Sequence, residues 1–343
     1  MRLLMRLQRP LLIFTGLAAG SLLLGARAAR PDGGAAERLR VLQAAERLAG
    51  DALASPAGDG GDPCELVASI AKTSVVHDLL EQLGLSLATC INEESGTPEK
   101  FEDCLQESFG EFSKGLGELE LQHAARLELC ALLGGGIYDP DLDEDDFEDE
   151  VEHPFMPFET GATWVYETDD GREEVVVTVL DKTKEIDDIE SIVVHDVVLV
   201  DGVPEEDTLD WFAQHENGTV WYMGELSQSL EDGELVSLDG SWKAGEEGAM
   251  PGIVMLAHPA VGKTYRQEFL LTEAEDAATV LSLSATAVVP AGTFTDCLKT
   301  ADFSPLEPGV VEHKYYARGV GLVLEENLDT GERLELISFT PGN

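Results

Sequence analysis

The segment Glu174–Val198 reads EVVVTVLDKTKEIDDIESIVVHDVV and holds two runs rich in β-branched residues, at 174–179 and 192–198. Such runs are typical of strands, and a third one follows at 320–324. Asp-Gly, Asn-Gly and Thr-Gly pairs punctuate the same region, at 170–171, 201–202, 217–218, 232–233 and 330–331. These pairs indicate turns between neighbouring strands.

Apart from 273–278, no helix-length pattern interrupts this region, so a parallel sheet with crossover helices is not expected. We therefore predict that 158–343 forms a large antiparallel β domain of about ten to twelve strands. A twisted sheet of that size has to curl or split. The expected form is a curved sheet, a sandwich or a part-open barrel, and curling creates a concave face.

Four of the five cysteines are placed symmetrically about Thr97. Apolar residues recur at helical steps on both sides of it, and 94–98 reads as one helix end followed by another helix start. Two antiparallel helices bring symmetric positions opposite each other. The pattern predicts a helical hairpin over 64–138 with disulfides Cys64–Cys130 and Cys90–Cys104. The alternative, a metal site of four thiolates, lacks any C-x2-C spacing. The fold class is therefore α+β, a disulfide-stapled αα-hairpin followed by the antiparallel β domain.

The N-terminus has the pattern of a secretory signal. Three arginines in MRLLMRLQRP precede the apolar run LLIFTGLAAGSLLLG, and Ala26-Arg27-Ala28 follows as a small-x-small cleavage site. The run is shorter than the roughly 20 residues that a membrane span needs. We predict a signal peptide over 1–28 and a mature protein that is exported to the periplasm or the extracellular space. Residues 29–63 are expected to form one helix, at 35–53, and a flexible linker.

The charge balance restricts the possible partners. The 343 residues include 22 Lys+Arg and 67 Asp+Glu, with a formal net charge of −45. Phosphate binding requires clustered basic residues, so nucleic acid is not expected as a partner. Divalent cations, basic partners and neutral small ligands remain, and the partner or ligand itself is not specified by composition.

An acidic segment joins the two predicted domains. Five carboxylates follow the spacing of a calcium-binding loop at its positions 1, 3, 5, 7 and 12: Asp139, Asp141, Asp143, Asp145 and Glu150. Glu144 stands where that loop needs glycine, and Pro140 restricts the backbone. The segment is therefore not an EF-hand. A solvated acidic linker over 139–157 is the main interpretation, and Ca²⁺ binding to these five residues is the alternative.

No catalytic motif of the H-E-x-x-H, C-x-x-C, P-loop or G-x-S-x-G type is present in the β region. Four histidines, His195, His215, His258 and His313, lie near carboxylates or strand ends and could converge in space. Two of them with Asp210 or Glu312 could bind a metal. Cys297 is left without a partner and is expected to be a buried structural thiol, because the adjacent Asp296 raises the pKa of a thiol.

Aromatic residues concentrate in the β region, and most are expected to pack in its core. In Trp221-Tyr222 and Tyr315-Tyr316, adjacent side chains must face opposite sides of the sheet. One member of each pair can therefore line the concave face. Trp211, Trp221 and Tyr315 are the candidate ligand-binding residues.

Several segments resemble a family of uncharacterised exported bacterial proteins with a cysteine-containing helical hairpin and a half-barrel-like β domain. They lie at 157–167, 210–214, 220–225, 289–297 (VPAGTFTDC), 312–317 (EHKYYA) and 319–323 (GVGLV). The resemblance implies an antiparallel fold akin to periplasmic lipoprotein carriers, and it supplies no activity. Arg318 departs from the family, whose members tend to have proline there.

The function expected from the sequence is that of an exported, non-enzymatic binding protein with an apolar or aromatic-contacting ligand on a concave β face. The alternative is a calcium-dependent structural or interaction protein with cations at 139–150. A third possibility is a hydrolase whose site is assembled from the β-domain histidines. No cofactor is expected other than possible calcium.

Overall fold

The computed structural model describes Gly50, residues 61–93 and residues 97–342. The predicted signal peptide over 1–28 and, apart from Gly50, the predicted helix at 35–53 lie outside the described residues. The chain forms two compact units that meet in sequence between Ile137 and Tyr138. No helix in the described part is both long and apolar enough to cross a membrane.

The helical unit is a hairpin of two touching helices, α1 (Pro63–Glu93) and α2 (Pro98–Leu133). Both predicted disulfides are confirmed, with Cα–Cα distances of 5.7 Å for Cys64–Cys130 and for Cys90–Cys104. Between them the helices bury an apolar seam formed by Val76, Leu83, Leu87, Phe112 and Leu119. The cysteines are symmetric about Thr97 because the two antiparallel helices place these positions opposite each other.

The open end of the hairpin is held by Asp62. Its carboxylate accepts a hydrogen bond from the Cys64 amide at 2.9 Å, as a helix-capping side chain does. The same carboxylate accepts from the Gly136 amide at 2.8 Å, beyond the end of α2. Gly134 caps α2 directly after Leu133, with φ of 85°, in the left-handed conformation that glycine adopts without strain.

The β unit contains, in its described residues, seventeen strands in antiparallel pairs, several of them only two residues long. They are β1 (Phe147–Glu148), β2 (Glu152–His153), β3 (Met156–Pro157), β4 (Thr163–Thr168), β5 (Glu173–Ile186), β6 (Ile189–Val200), β7 (Val203–His215), β8 (Val220–Glu231), β9 (Glu234–Ser237), β10 (Trp242–Lys243), β11 (Gly252–Met255), β12 (Thr264–Arg266), β13 (Ala277–Val289), β14 (Gly292–Phe303), β15 (Glu312–Ala317), β16 (Gly321–Asn327) and β17 (Arg333–Thr340).

One large sheet has the order β10-β8-β7-β6-β5-β4-β17-β16-β15-β14-β13-β12. β1 also pairs with β7, β9 and β11 pair with β8, and β2 pairs with β3 in a separate hairpin. Asp187 and Asp188, with φ of 50° and 65°, form the turn between β5 and β6. Two consecutive residues with positive φ match the hairpin turn that follows the right-handed twist of the strands.

The two ends of the strand order approach each other although the sheet does not close. Met250, just before β11, makes an isolated bridge to Phe269, just after β12. A Cβ atom at Gly252 would lie 1.9 Å from the Gln267 carbonyl oxygen, so this close approach requires glycine. Trp242 Nε1 on β10 also donates to Glu268 Oε1 at 3.2 Å. The predicted fold class is thus confirmed as a strongly curved, open antiparallel sheet following a helical hairpin.

The segment 139–157, interpreted from the sequence as an acidic linker, belongs to the β unit from its first residue. Tyr138 Oη donates to the Pro251 carbonyl at 2.7 Å, and Phe147 pairs with His215 through β1. Phe155 and Met156 are buried in the apolar core. The sequence interpretation rested on the run of carboxylates, which is solvated, and it overlooked the apolar residues that follow the run and anchor it.

Candidate functional site

Two rows of polar side chains lie on one face of strands β14, β15 and β16. The strand register sets Lys314 opposite Thr300 on one side and Glu325 on the other. The next row sets Glu312 between Asp302 and Asn327. Because side chains alternate along a strand, residues two apart face the same side, and both rows project together. This side of the sheet is called the inner face below.

Four of these residues, Asp302, Glu312, Lys314 and Glu325, form the Lys314 cluster. The Lys314 side chain is fully buried, and its Nζ lies 3.4 Å from Glu325 Oε2, 3.8 Å from Asp302 Oδ2 and 3.9 Å from Glu312 Oε2. These are ion-pair distances, and among the described residues Nζ has no acceptor in hydrogen-bond geometry. A buried ammonium without hydrogen-bond acceptors is costly, so the cluster is a candidate position for a further polar group.

The neighbouring side chains hold the carboxylates in place. Asp302 Oδ2 accepts from Gln267 Nε2 at 3.0 Å, and Glu312 Oε1 accepts from Asn327 Nδ2 at 3.3 Å. The other carboxylate oxygen of Glu312 and the amide oxygen of Gln267 are buried without a hydrogen-bond donor among the described residues. The cluster therefore presents acceptors as well as an ammonium to the interior.

Burial and mutual repulsion change the protonation of the cluster. Burial, followed by the repulsion of Glu325, raises the pKa of Glu312 to about 9. Burial also raises the pKa of Asp302, although the Lys314 ammonium opposes the shift. For Lys314 burial alone lowers the pKa, but Glu325, Asp302 and Glu312 together outweigh it and raise the pKa. Lys314 is therefore charged at neutral pH while the cluster retains a proton.

We expect the stability of the β unit to fall as the pH rises from 7 to 9, and to fall less in Glu312→Gln. The folded pKa of Glu312, about 9, lies above its ordinary value of 4.5. Its contribution to stability is therefore complete below pH 4.5 and is lost as the pH rises through about 9. The loss over this window is on the order of 2 kcal/mol, or roughly 4–8 °C in the unfolding temperature.

Thermal melts at pH 7, 8 and 9 at constant ionic strength measure this effect. Burial lowers the pKa of His153 to about 4, so the contribution of this histidine changes below pH 6.5 and does not overlap the window. Glu326→Gln, on the same strand as Glu325 but on its other side, is the matched control. A wild-type profile no steeper than that of Glu312→Gln would contradict the buried, protonated state of Glu312.

Three further buried carboxylates, Asp210, Glu225 and Glu268, are called the acidic wall below. The register places Asp210 on β7 directly opposite Glu225 on β8, and Asp210 Oδ1 accepts from Tyr222 Oη at 2.7 Å. Burial raises the pKa of Glu268 well above its ordinary value, and the charges of Asp276 and Glu225 raise it further.

The acidic wall and the Lys314 cluster both lie within electrostatic reach of Asp276. Burial raises the pKa of Asp276 to about 7, and the charges of Lys314, Asp302 and Glu225 also act on it. The wall and the cluster together contain six buried carboxylates and one ammonium. Arg266, on β12, is turned toward aromatic rings, with its guanidinium carbon 5.0 Å from the centroid of Phe269. The interior is therefore rich in carboxylates, which is unusual for the inside of a β fold.

An aromatic cavity lies beside the Lys314 cluster, where Tyr316 continues the inner face of β15. The aromatic residues that line it are Phe155, Phe158, Trp164, Tyr166 and Tyr316. Its single charged lining residue is Asp196, whose side chain is buried. The free space is about 20 Å³, enough for roughly one water-sized group.

The three aromatic residues singled out from the sequence are all largely buried. Tyr315 lies on the outer face, where its Oη donates to Glu326 Oε2 at 2.8 Å and Lys299 Nζ lies 4.7 Å from its ring centroid. Trp211 and Trp221 belong to the apolar core. Their neighbours Asp210 and Tyr222, which bond to each other, belong to the inner face. Binding by Trp211, Trp221 and Tyr315 stays a prediction. The residues on the inner face are their neighbours in sequence, Asp210 and Tyr222 among them.

The five carboxylates predicted to bind calcium lie along a segment of the chain that contains one short turn. Asp143 Oδ1 accepts from the Asp145 amide at 3.1 Å and so caps the 3-10 turn Glu144–Asp146. Among the described residues no group of three or more His, Cys, Asp or Glu side chains is arranged to hold a metal ion. Calcium binding at Asp139, Asp141, Asp143, Asp145 and Glu150 stays a prediction from spacing alone.

The β-unit histidines have separate local partners. His195 Nε2 lies 3.0 Å from Asp207 Oδ1, and His215 Nε2 lies 3.9 Å from Asp146 Oδ2. His313 lies on β15 opposite Glu326, and burial lowers its pKa. A hydrolytic site assembled from these residues stays a prediction. Cys297 is a buried free thiol, and burial, with Asp296 adding to it, raises its pKa.

Sequence reasoning missed Lys314, Asp302, Glu225 and Glu268, because charged residues in an alternating strand are normally assigned to the solvent face. The only available signal was the acidic residues flanking Lys314 in the 312–325 segment. No family model, curated protein or solved structure matches this chain. The function is therefore argued from the geometry and charge of the inner face.

Proposed function

We propose that this protein is an exported binding protein that holds a small organic cation on the inner face of its open β unit. The observation that supports the proposal is that Glu312 Oε2 and Gln267 Oε1, in and next to the Lys314 cluster, are buried without a hydrogen-bond donor among the described residues. A buried acceptor that lacks a donor is costly. A cationic ligand whose N–H groups donate to these oxygens would relieve that cost.

Export is supported by the N-terminal signal pattern and by two disulfides, which persist in oxidising compartments. The cysteine pairs lie in the helical unit, and the proposed ligand site lies entirely in the β unit. The sequence alone favours an apolar or aromatic-contacting ligand. The polar inner face favours instead a charged group that donates hydrogen bonds, because the acceptors Glu312 Oε2 and Gln267 Oε1 have no donor in the part of the chain that the structure describes.

Isothermal titration calorimetry tests the proposal with n-butylammonium, 1,4-diaminobutane and tetramethylammonium as probes, at constant ionic strength. Saturable binding of at least one probe is expected, with sodium and acetate ions as controls. At 100 times its dissociation constant, the bound cation should add about 2.7 kcal/mol to the free energy of unfolding. A melt of the same samples measures that gain.

Glu225→Gln should weaken binding by about tenfold or more, since it removes a charge from the acidic wall. Glu231→Gln is the matched control, because Glu231 lies at the exposed end of the same strand. If none of the three cations binds more tightly than sodium, the proposal is wrong. Equal effects of the two variants would also reject it, because the wall would then have no special role.

A further inference from the structure

The Lys314 cluster offers hydrogen-bond donors to a ligand as well as acceptors. Within the described part of the chain, Lys314 Nζ has no acceptor in hydrogen-bond geometry, and Glu312 Oε2 and Gln267 Oε1 have no donor. The side chains are almost completely buried, with exposed fractions of 0% for Lys314, 2% for Glu312 and 1% for Gln267. A simple ammonium ion only donates, so it would leave the N–H groups of Lys314 without an acceptor. A matching ligand carries an acceptor beside its ammonium group.

The ion-pair contacts of Lys314 are longer than hydrogen bonds. Nζ lies 3.4 Å from Glu325 Oε2, 3.8 Å from Asp302 Oδ2 and 3.9 Å from Glu312 Oε2. Charge-assisted hydrogen bonds between an ammonium and a carboxylate are about 2.7–2.9 Å long. The carboxylates therefore balance the charge of Lys314, while its N–H groups can still donate to a further acceptor.

The surrounding carboxylates restrict the charge of that acceptor. Glu325 and Asp302 already place carboxylate oxygens within 3.8 Å of Lys314 Nζ, so an anionic acceptor at the same ammonium would be repelled by both. A hydroxyl group is neutral, accepts a hydrogen bond from an ammonium and can donate its own proton to a carboxylate. The charge distribution therefore favours a hydroxyl over a carboxylate as the second group of the ligand.

The donor and the acceptors lie close together. Gln267 Nε2 donates to Asp302 Oδ2 at 3.0 Å, and the same oxygen lies 3.8 Å from Lys314 Nζ. Glu312 Oε2 is itself 3.9 Å from Nζ. A ligand that meets the donor and the acceptors at once must hold its ammonium and its hydroxyl near each other, as substituents on adjacent carbon atoms do.

We propose that the ligand of the Lys314 cluster is a 1,2-amino alcohol. Its hydroxyl accepts a hydrogen bond from Lys314 Nζ, and its ammonium donates to Glu312 Oε2 and Gln267 Oε1. This assignment rests on the proposed function and narrows its ligand class from organic cations in general to those with a hydroxyl next to the ammonium. The simplest member of the class is 2-hydroxyethylammonium.

Calorimetry on the full protein compares 2-hydroxyethylammonium with n-propylammonium and glycine, two probes of similar size. n-Propylammonium has a methyl group in place of the hydroxyl, and glycine has a carboxylate in place of the hydroxymethyl group. The amino alcohol is expected to bind at least about tenfold more tightly than either. If n-propylammonium or glycine binds as tightly as the amino alcohol, the assignment is wrong, and in the first case the proposed function stands. If no organic cation binds, both are wrong.

The double variant Lys314→Met with Glu325→Gln tests whether Lys314 recognises the hydroxyl. It removes one positive and one negative charge, which limits the loss of stability. The preference for the amino alcohol over n-propylammonium should fall below about threefold. Lys299→Met is the matched control and should keep the preference, because Lys299 contacts Tyr315 on the outer face. The ratio of two affinities within one variant is insensitive to a general weakening of binding, so an unchanged ratio in the double variant would overturn the assignment.

Discussion

Replacing Lys314 with methionine is expected to lower the free energy of unfolding of the β unit by about 3–5 kcal/mol at pH 7. Lys314 is fully buried, with Glu325, Asp302 and Glu312 within 3.9 Å of its ammonium. Methionine retains most of the volume but removes the charge, so buried carboxylates lose their only close cation among the described side chains. Chemical denaturation followed by tryptophan fluorescence measures the loss.

The pH dependence of this variant separates charge from packing. Burial raises the pKa of Asp302, and protonation of this carboxylate removes a charge that Lys314 neutralises, so the cost of losing Lys314 should be smaller at pH 5 than at pH 7. A packing defect would cost the same at both pH values. Lys299→Met is the matched control, because Lys299 lies on the neighbouring strand and contacts Tyr315 on the outer face. It should cost about 1 kcal/mol or less.

The double variant Lys314→Met with Glu325→Gln should recover part of the loss, since it removes a buried charge that Lys314 no longer neutralises. Glu325 is the carboxylate nearest to Lys314 Nζ, at 3.4 Å. A loss below about 1 kcal/mol for Lys314→Met at pH 7 would contradict the role assigned to the Lys314 cluster.

Removing the outer disulfide is the second change with a large expected effect. Cys64 and Cys130 are 66 residues apart, whereas Cys90 and Cys104 are 14 apart. The chain-entropy model assigns about 4 kcal/mol to a loop of the first size and about 3 kcal/mol to one of the second. Cys64→Ala with Cys130→Ala should therefore destabilise the helical unit more than Cys90→Ala with Cys104→Ala.

Circular dichroism at the helical band during a thermal melt measures both variants. The seam between the helices is small, with five buried apolar residues at its centre, so the hairpin depends strongly on its covalent links. The Asp62 cap is retained in both variants and so does not bias the comparison. An outer pair that costs less than the inner pair would contradict this view of the hairpin.

The hairpin could be predicted from the sequence because its information is local. The cysteines equidistant from Thr97, together with helical periodicity, define an antiparallel register without any knowledge of tertiary contacts. The β strands were also recognisable from their β-branched runs. The Asp187-Asp188 turn was not recognised, because two aspartates with positive φ are a rarer choice than Asp-Gly.

The inner face could not be predicted, because alternation shows that neighbours face opposite sides but not which side is enclosed. Tyr315 was chosen as a ligand residue, yet its neighbours Lys314 and Tyr316 face the interior. Lys314 meets Asp302 and Glu325 only through the pairing of β14, β15 and β16, which no single segment encodes. The curvature that brings Glu225 within electrostatic reach of Asp276 depends on the whole sheet.

The most direct test of the central claim is the number of protons released when 1,4-diaminobutane binds at pH 7.5. Calorimetry in buffers of different ionisation enthalpy measures it. A cation that enters a carboxylate-rich interior lowers the raised pKa of Glu312, so binding should release protons, and Glu312→Gln should release fewer. Absence of saturable binding, or binding whose heat does not depend on the buffer, would contradict the claim.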